Sequence, residues 1–483
     1  RFFLVSEYIF LWNNGFGKSF GSQNLGDLVL LEKGEQLSRV QGHVQMETLQ
    51  KQEKIDALNI VSLANSSFWV EAFVDSTGYF QALLPSGTYR VQPNRFYTSP
   101  FKSAGFKQNT RRIEYSFMNN FEVVKDSITN LDTITFKVIP RPEKTLSSSI
   151  LPIEHLTPDD IDNFVTTWKD YFDIPAVSVV LIRDNKVFYD KTMGLKNNLT
   201  RELANSNTLF EAASISKAVF GVMVLRLAER GIIDLDKPLY QYLPFPNIKD
   251  DQRSKLLTAR LILGHQSGLP NWAWGGPGTW EGGGDIELNF EPGSDFGYSG
   301  EAFNYLGRVV EHITQKKLQT IYEEEIEGPF GVKDSYFYYT DDQEERFALG
   351  HLHQYIQIKG QERIASPASS VSTNAHLFQD FVLGLMNEKN MSAESYGLIY
   401  EPYTVLSKEQ KLYDPEFSQH VSHGFFVQIR DDGMLIGHGG NNGDYDSKFA
   451  YNPQKKYAYI VFTNSNLGDE FIRALEEFLL TKH

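Results

Sequence analysis

The chain has 483 residues, which suits two or three domains better than one. Hydrophobic residues make up 41% and aromatics 13%, ample for a sizeable core, while a net charge of −15 argues against the basic footprint of a nucleic-acid binder and against an anionic membrane surface. The absence of cysteine excludes disulfides, thiolate metal sites and a cysteine nucleophile.

No run reaches transmembrane length. The apolar start, RFFLVSEYIFLWNNGF, is interrupted by Glu7 and Asn13 and lacks a small-residue cleavage site, so it does not read as a signal peptide. Residues 1 to 39 are poorly readable. From Val40 onward the pattern up to about residue 145 is all-β. Short alternating runs at Ala57–Leu63, Phe68–Val74, Tyr79–Leu84 and Tyr89–Val91 are punctuated by Asp75-Ser76-Thr77-Gly78 and Pro85-Ser86-Gly87-Thr88. Strands at that spacing predict a small sandwich. Over Val40 to Pro93 the wording resembles the carboxypeptidase-regulatory-like, transthyretin-like sandwich domains. Those are accessory modules without a catalytic constellation, and one reading of residues 1–145 is a module that recruits a polymer or protein partner. Pro140–Glu154, where proline, serine and charge cluster without periodicity, reads as linker, and residues 146–156 separate the first domain from a second at 157–483.

Thr157 is the expected N-cap of a helix running from Pro158 to Tyr171, with Asp159 and Asp160 favouring its first turn. A hairpin is expected next, Ala176–Arg183 and Lys186–Lys191 around Asp184-Asn185. Then comes EAASISKAVFGVMVLRLAERGIIDLD, residues 211–236. Phe220, Met223, Val224 and Leu227 recur at helical spacing and Gly231 stops the helix. Ser214 and Lys217 stand near its start as a Ser-x-x-Lys pair, on one face. A half-buried lysine at a helix N-terminus loses its proton more easily and can act as base toward a serine. The pattern is cheap: it recurs at Ser99 and Lys102, where Pro100 and the lack of periodicity indicate a loop. Taken alone, Ser214 reads equally well as a helix cap beside a solvated lysine.

Leu257–Leu269 is expected to be a helix, with His265 near its end as a structural hydrogen-bonder. The following loop, Asn271–Asp285, carries Trp272, Trp274 and Trp280 among six glycines; it reads either as a packed surface loop or as the aromatic wall of a pocket. Tyr298 precedes a helix expected from Glu301 to His312. Another turn and helix occupy Pro367–Leu385. His351 and His353 have strand spacing and His420 and His423 helical spacing, but neither pair has a third ligand, so no metal site is expected. Near the C-terminus, Gly424–Arg430, Leu435-Ile436, Lys448–Tyr451 and Tyr457–Thr463 predict antiparallel strands, with His438-Gly439-Gly440-Asn441 among them. A helix over Gly468–Leu480 closes the chain. The two ends of the second domain are expected to share one antiparallel sheet flanked by helices, an α/β (α+β) arrangement rather than a doubly wound one.

Ser214-x-x-Lys217, Tyr298-Ser299-Gly300 and His438-Gly439-Gly440 occur in an order and separation that resemble the serine β-lactamase and penicillin-binding-protein superfamily, and within it the group of class C β-lactamases, D-alanyl-D-alanine carboxypeptidases, D-aminopeptidases and esterases. LTARLILGHQSGLP, FEPGSDFGYSGEAFNYLGRVVEHIT, ASPASSVSTNAHLFQDF and IGHGGNNGDYDSKFAYNP are similar to that group's connecting landmarks, so the resemblance spans the whole second domain. It implies an acyl-enzyme on Ser214, assistance from Lys217 and proton transfer by Tyr298. It implies an oxyanion hole at the N–H groups of Ser214 and Asn441, beside Gly440, and a pocket wall at His438. Trp272 and Trp274 are the substrate-lining candidates.

No cofactor or metal is implied, and the substrate is a small molecule or peptide. Two departures bear on which one. Gly300 replaces the amide side chain of a Tyr-x-Asn triplet, and His438-Gly439 replaces the Lys-Thr that holds a substrate carboxylate. A neutral histidine and a glycine favour an ester or D-amino-acid peptide over a β-lactam. The alternative is an inactive binding or sensor module that keeps the fold. The sandwich and the absence of cysteine fit an exported bacterial protein, periplasmic or extracellular, whose signal is not in this chain.

Overall fold

A computed structural model describes residues 2–5, 8–11, 29–32, 37–47, 57–62, 69–93, 112–115, 120–139, 155–198, 200–273, 285–338, 341–352, 355–356, 365–408, 410 and 419–480. The chain divides into two compact units, residues 1–145 and 146–483. Ser99 and Lys102, Trp274, Trp280 and His353 lie outside the described residues.

In the first unit, one sheet orders Phe121–Val123, Gly87–Pro93, Ala57–Ser62 and Trp69–Phe73, all antiparallel. A second is built on Ser38–Glu47, which pairs antiparallel with Tyr79–Leu84 and parallel with Ile128–Asn130 and Ile134–Ile139. Arg112–Tyr115 pairs antiparallel with Ile134–Ile139. Alternation along Tyr79–Leu84 sends Phe80, Ala82 and Leu84 inward. They join Val40, Leu58, Ile60, Tyr89, Val91 and Ile134 in one buried cluster. The expected turn at Asp75 is set by its carboxylate, which accepts the N–H groups of Thr77 (2.8 Å) and Tyr79 (3.0 Å).

The second unit starts as the sequence predicts. Helix α1, Pro158–Tyr171, is capped by Thr157, with Asp160 closing a capping box. Strands β1 (Ala176–Arg183) and β2 (Lys186–Asn197) form the hairpin. Two short strands follow, β3 (Glu202–Leu203) and β4 (Phe210–Glu211), and then helix α2 (Ile215–Glu229). Later come helix α3 (Ala259–Leu263), helix α4 (Gly300–Thr314), strand β5 (Ser372–Thr373) and helix α5 (Ala375–Met386). The chain ends with β6 (Thr404–Val405), β7 (His420–Val421), β8 (Phe426–Arg430), β9 (Gly433–Asn441), β10 (Asp446–Asn452), β11 (Tyr457–Thr463) and helix α6 (Gly468–Leu480).

Nine strands make the main sheet in the order β3-β2-β1-β11-β10-β9-β8-β7-β6. The first hairpin of the unit therefore sits beside the last strand, joined by β1 to β11 in antiparallel register from Val177↔Thr463 to Arg183↔Tyr457. The period of two divides β10 and β11 between two layers. Phe449 and Phe462 meet Phe378 of α5. On the other face Lys448 pairs with buried Glu476 of α6 at 2.6 Å, and Tyr459 donates to the same carboxylate. There Phe164 of α1 stacks on Phe478 of α6 with ring centroids 4.4 Å apart.

Helix α2 is the centre of the helical layer. It is apolar on every side, and twelve of its residues are buried, from Ile215 through Leu225 together with Leu227. A helix of that kind belongs inside a core. Its C-terminal arginines are held by Glu325, fully buried: Arg226 Nε lies 3.2 Å from the carboxylate and Arg230 contacts its other oxygen. That pairing keeps the carboxylate from being buried alone, a costly state.

Three expectations are corrected. The helix expected over Leu257–Leu269 stops at Leu263, because Gly264 caps it and His265 takes φ +56°. His420 lies on a strand, so the helical spacing of His420 and His423 has no helix beneath it. The strand seen at Leu435-Ile436 extends over nine residues and carries His438 itself.

Candidate active site

The chain enters α2 through a tight turn. Ala213 has φ +47°, a left-handed conformation that costs a non-glycine residue about 1–3 kcal/mol and persists only where the surroundings enforce it. Here they do. The Ala212 carbonyl accepts from Ser447 Oγ (2.8 Å) and Ile215 N–H (3.1 Å), and the Ala213 carbonyl accepts from Ser216 Oγ (2.6 Å). Ser214 follows as the N-cap residue, yet its side chain makes no capping bond. The hydroxyl is left for other partners, which settles against the cap reading.

Its partner is Lys217, with Tyr298 alongside. Lys217 Nζ is 3.2 Å from Ser214 Oγ and 2.8 Å from the carbonyl oxygen of Ala368. The side chain is fully buried, with the Tyr298 ring centroid 4.7 Å away, Phe303 at 5.7 Å and Trp272 at 6.0 Å. Burial pushes the amine down to about 7. Desolvation disfavours the charged form, and neither hydrogen-bond partner is a carboxylate that would restore it. A neutral amine that donates one N–H to Ala368 keeps its lone pair for the Ser214 hydroxyl.

Burial raises the Tyr298 hydroxyl well above the ordinary tyrosine range, with the nearby Ser214 side chain pulling weakly the other way. It is a phenol at neutral pH, able to give a proton and poorly able to take one. Its ring lies on His265, centroids 4.4 Å apart and 26° from parallel. His265 is buried, and desolvation holds its imidazole neutral. Its Nδ1 accepts the Ser299 N–H at 3.2 Å, which places the proton on Nε2. The structural role expected for His265 thus has a specific object: it floors the tyrosine and anchors the turn into α4.

Strand β9 forms the facing wall. A side chain at Gly440 would put its first carbon 2.2 Å from the Ala212 carbonyl oxygen, 2.5 Å from Ser447 Oγ and 3.0 Å from Ser214 N. Only glycine lets this strand run against the Ser214 backbone, with Asn441 next along it. The Asn441 side chain turns away, bonded to Asp446 and accepting the Gly443 N–H at 2.8 Å. His438 is buried, with Tyr298 at 6.4 Å and Phe426 at 5.1 Å between centroids. Burial first, then the Lys217 charge, pushes it down to about 3, so it is neutral. Its Nδ1–H donates to the Gly439 carbonyl at 2.6 Å, leaving Nε2 as an acceptor with no partner among the described residues.

Ser214, Lys217, Tyr298, His438, Gly440 and Trp272 therefore converge, from segments far apart in sequence. Ala368 was not singled out in the sequence. Its loop is tied down by Val371 N–H to Ser216 Oγ (2.9 Å) and by Ser366 Oγ to Asn304 (2.7 Å). Asn442 also went unnoticed; it spans the rim from Glu211 (2.6 Å) to the Ser369 carbonyl (3.5 Å). Among the described residues no group of three or more histidine, aspartate or glutamate side chains converges as a metal site would, and no helix is long and apolar enough to cross a membrane.

A family model described as Beta-lactamase matches residues 163–481. Protein flp of Staphylococcus aureus (strain MW2) is 22% identical over 328 residues, covering 64% of this chain and 63% of its own length. Esterase EstB of Burkholderia gladioli is 31% identical over 198 residues, 36% of this chain and 50% of the esterase. The chain thus spans less than two thirds of the length of these curated relatives. Among solved structures, the octameric penicillin-binding protein homologue from Pyrococcus abyssi aligns with a TM-score of 0.54 at 19% identity, over 64% of this chain and 74% of that one. The D-alanine carboxypeptidase AmpC from Burkholderia cenocepacia aligns with a TM-score of 0.55 at 17% identity, over 66% of this chain and 98% of that one. At these identities the structural likeness establishes the fold.

Proposed function

The chain belongs to the beta-lactamase family, the serine β-lactamase and penicillin-binding-protein-like superfamily, and on that footing we propose that it is a serine hydrolase that opens an ester bond through an acyl-enzyme on Ser214. The observation that carries this reading is the buried Lys217 amine, held near 7 and 3.2 Å from Ser214 Oγ. Ser214 is the nucleophile. Lys217, aimed by the Ala368 carbonyl, takes its proton. The N–H groups of Ser214 and Asn441 receive the oxyanion, and Tyr298 gives its proton to the leaving oxygen. Lys217, 4.7 Å from the Tyr298 ring centroid, passes on to the tyrosine oxygen the proton taken from Ser214, so that both groups are reset for the second half-reaction. Water then releases the acid by the same steps with the roles of attacking and leaving oxygen exchanged.

The preference for an ester rests on what the walls lack. His438 is neutral and Gly439 has no hydroxyl, so neither offers a substrate carboxylate a charge-assisted bond. Gly300 offers no side-chain amide. An esterase of the same family shares 31% identity over its matched segment. A D-amino-acid peptidase is the second reading, since a Tyr298 that stays protonated at neutral pH has a proton to give to an amine leaving group. We also read residues 1–145 as an accessory sandwich that engages a polymer or protein, and the protein as exported. The two sheets with their shared buried cluster support the sandwich itself.

A substrate panel tests the assignment. The full chain is expected to turn over p-nitrophenyl esters, to act more slowly on D-amino-acid p-nitroanilides and to leave a chromogenic cephalosporin nearly untouched. Fast cephalosporin hydrolysis with no ester turnover would show that His438 does not have the consequence argued for it.

A further inference from the structure

Gly300 and Trp272 are one feature rather than two. A side chain at position 300 would place its first carbon 2.3 Å from Cη2 of Trp272, 2.5 Å from Cζ3 and 2.8 Å from Cζ2. The indole occupies the room in which any side chain at 300 would begin. Gly300 starts α4 with an ordinary helical backbone, so the glycine is required by the indole and not by a left-handed φ.

Trp272 is not a loose loop residue. The segment before it is strapped to the first turn of α4. Asn271 Oδ1 accepts the Gly300 N–H at 2.9 Å, the Asn271 carbonyl accepts the Glu301 N–H at 2.9 Å, and Ser299 Oγ donates to the Pro270 carbonyl at 2.7 Å. The same Ser299 caps the helix through Ala302 N–H. The indole packs against the core yet keeps part of its surface exposed, and its ring centroid is 6.0 Å from Lys217 Nζ. It is a fixed aromatic plate at the edge of the Ser214 site.

We propose that Trp272, seated in the space vacated at Gly300, forms an apolar platform for the acyl group, making the substrate an ester of a medium-chain or aromatic carboxylic acid. This rests on the hydrolase reading above and names its substrate class. The other walls are otherwise engaged or polar, since the His438 side presents an imidazole Nε2 with no partner among the described residues. Tyr298 meets the leaving oxygen, and the Gly440–Asn441 edge receives the carbonyl oxygen. The indole side remains for the acyl chain, and it presents carbon where an amide-binding side chain would present donors. An apolar pocket discriminates by about 10-fold or more for each methylene that it covers well.

The test uses the full chain and two series of esters: acetyl to octanoyl p-nitrophenyl esters, which vary the acyl group, and acetate esters of longer alcohols, which vary the leaving group. Active sites are counted in every variant by fluorophosphonate labelling. The wild type is expected to prefer the longer acyl chains. Trp272→Ala should flatten that preference by about 10-fold or more, with Trp272→Phe in between, while the alcohol series changes little. Gly300→Ala should lower turnover of all esters about 10-fold or more. Trp272→Ala added to Gly300→Ala should recover turnover of the acetyl ester, because the clash is gone. A chain-length preference unchanged in Trp272→Ala, a change confined to the alcohol series, or a double variant no better than Gly300→Ala would overturn the platform while leaving the labelled serine hydrolase intact. A wild type that neither labels nor hydrolyses any ester would remove the hydrolase reading, and the platform with it.

Discussion

Replacing Lys217 by alanine is expected to slow acylation of Ser214 by about 10³–10⁴-fold, the upper range for loss of a positioned general base. The amine is the one group beside Ser214 Oγ that burial makes basic near neutral pH rather than more tightly protonated. Single-turnover kinetics with an activated ester would read the loss directly. The pH profile carries the sign. Because burial lowers the lysine from 10.5 to about 7, the reactive neutral form accumulates as pH rises, and kcat/KM should climb through about 7 and level off. A profile that fell through that range, or acylation unchanged in Lys217→Ala, would remove Lys217 from the mechanism.

The same shift predicts a gain in stability. Folding holds the amine below its unfolded affinity for protons, so the unfolded chain binds more protons between about 7 and 10.5. The penalty is therefore complete below pH 7 and fades as pH rises toward 10.5. Lys217→Met should melt at a higher temperature than the wild type, by a wider margin at pH 6 than at pH 9. A residue retained at such a cost is one held for chemistry rather than for packing.

Removing the Tyr298 hydroxyl should have an effect that depends on the leaving group. Burial keeps this phenol protonated, and in the proposed mechanism it is the acid for the departing oxygen. An alkyl alkoxide or an amine needs that proton, whereas p-nitrophenolate leaves without it. Tyr298→Phe is expected to cost about 10²–10³-fold on an alkyl ester and much less on the p-nitrophenyl ester of the same acid. Equal losses on both would reassign Tyr298 from proton donor to orienting Ser214. The stacking on His265 should survive in Tyr298→Phe, since the contact involves ring faces and not the hydroxyl.

The sequence singled out Ser214, Lys217, Tyr298 and His438 by residue type and spacing, and the fold gathers these four side chains in one place. What escaped was backbone and contact. The Ala368 carbonyl that aims Lys217 leaves no trace in residue type, since any residue has one. The reason for Gly300 is visible only once Trp272 is seen to fill its space. The left-handed turn at Ala213 is enforced by Ser447 and Ser216, the first of them far along the chain, against the local preference of alanine. Helix ends failed for similar reasons. Thr157 and Asp160 announced the start of α1 with side chains, and the start was read correctly. The break at Gly264 and His265 follows from the tertiary demand that His265 turn beneath Tyr298. Nearly continuous apolar runs marked β1 and β11 to the residue, because a strand buried on both faces is apolar nearly throughout.

The central claim is that Ser214 is a nucleophile made reactive by its neighbours, and covalent labelling reads it most directly. The full chain is incubated with a fluorophosphonate and the intact mass is taken, beside Ser214→Ala under the same conditions. The account predicts one adduct per chain on the wild type, mapped to Ser214 by peptide mass, forming faster as pH rises through about 7, and none on the variant. An unlabelled wild type, or an adduct that persists in Ser214→Ala, would contradict it.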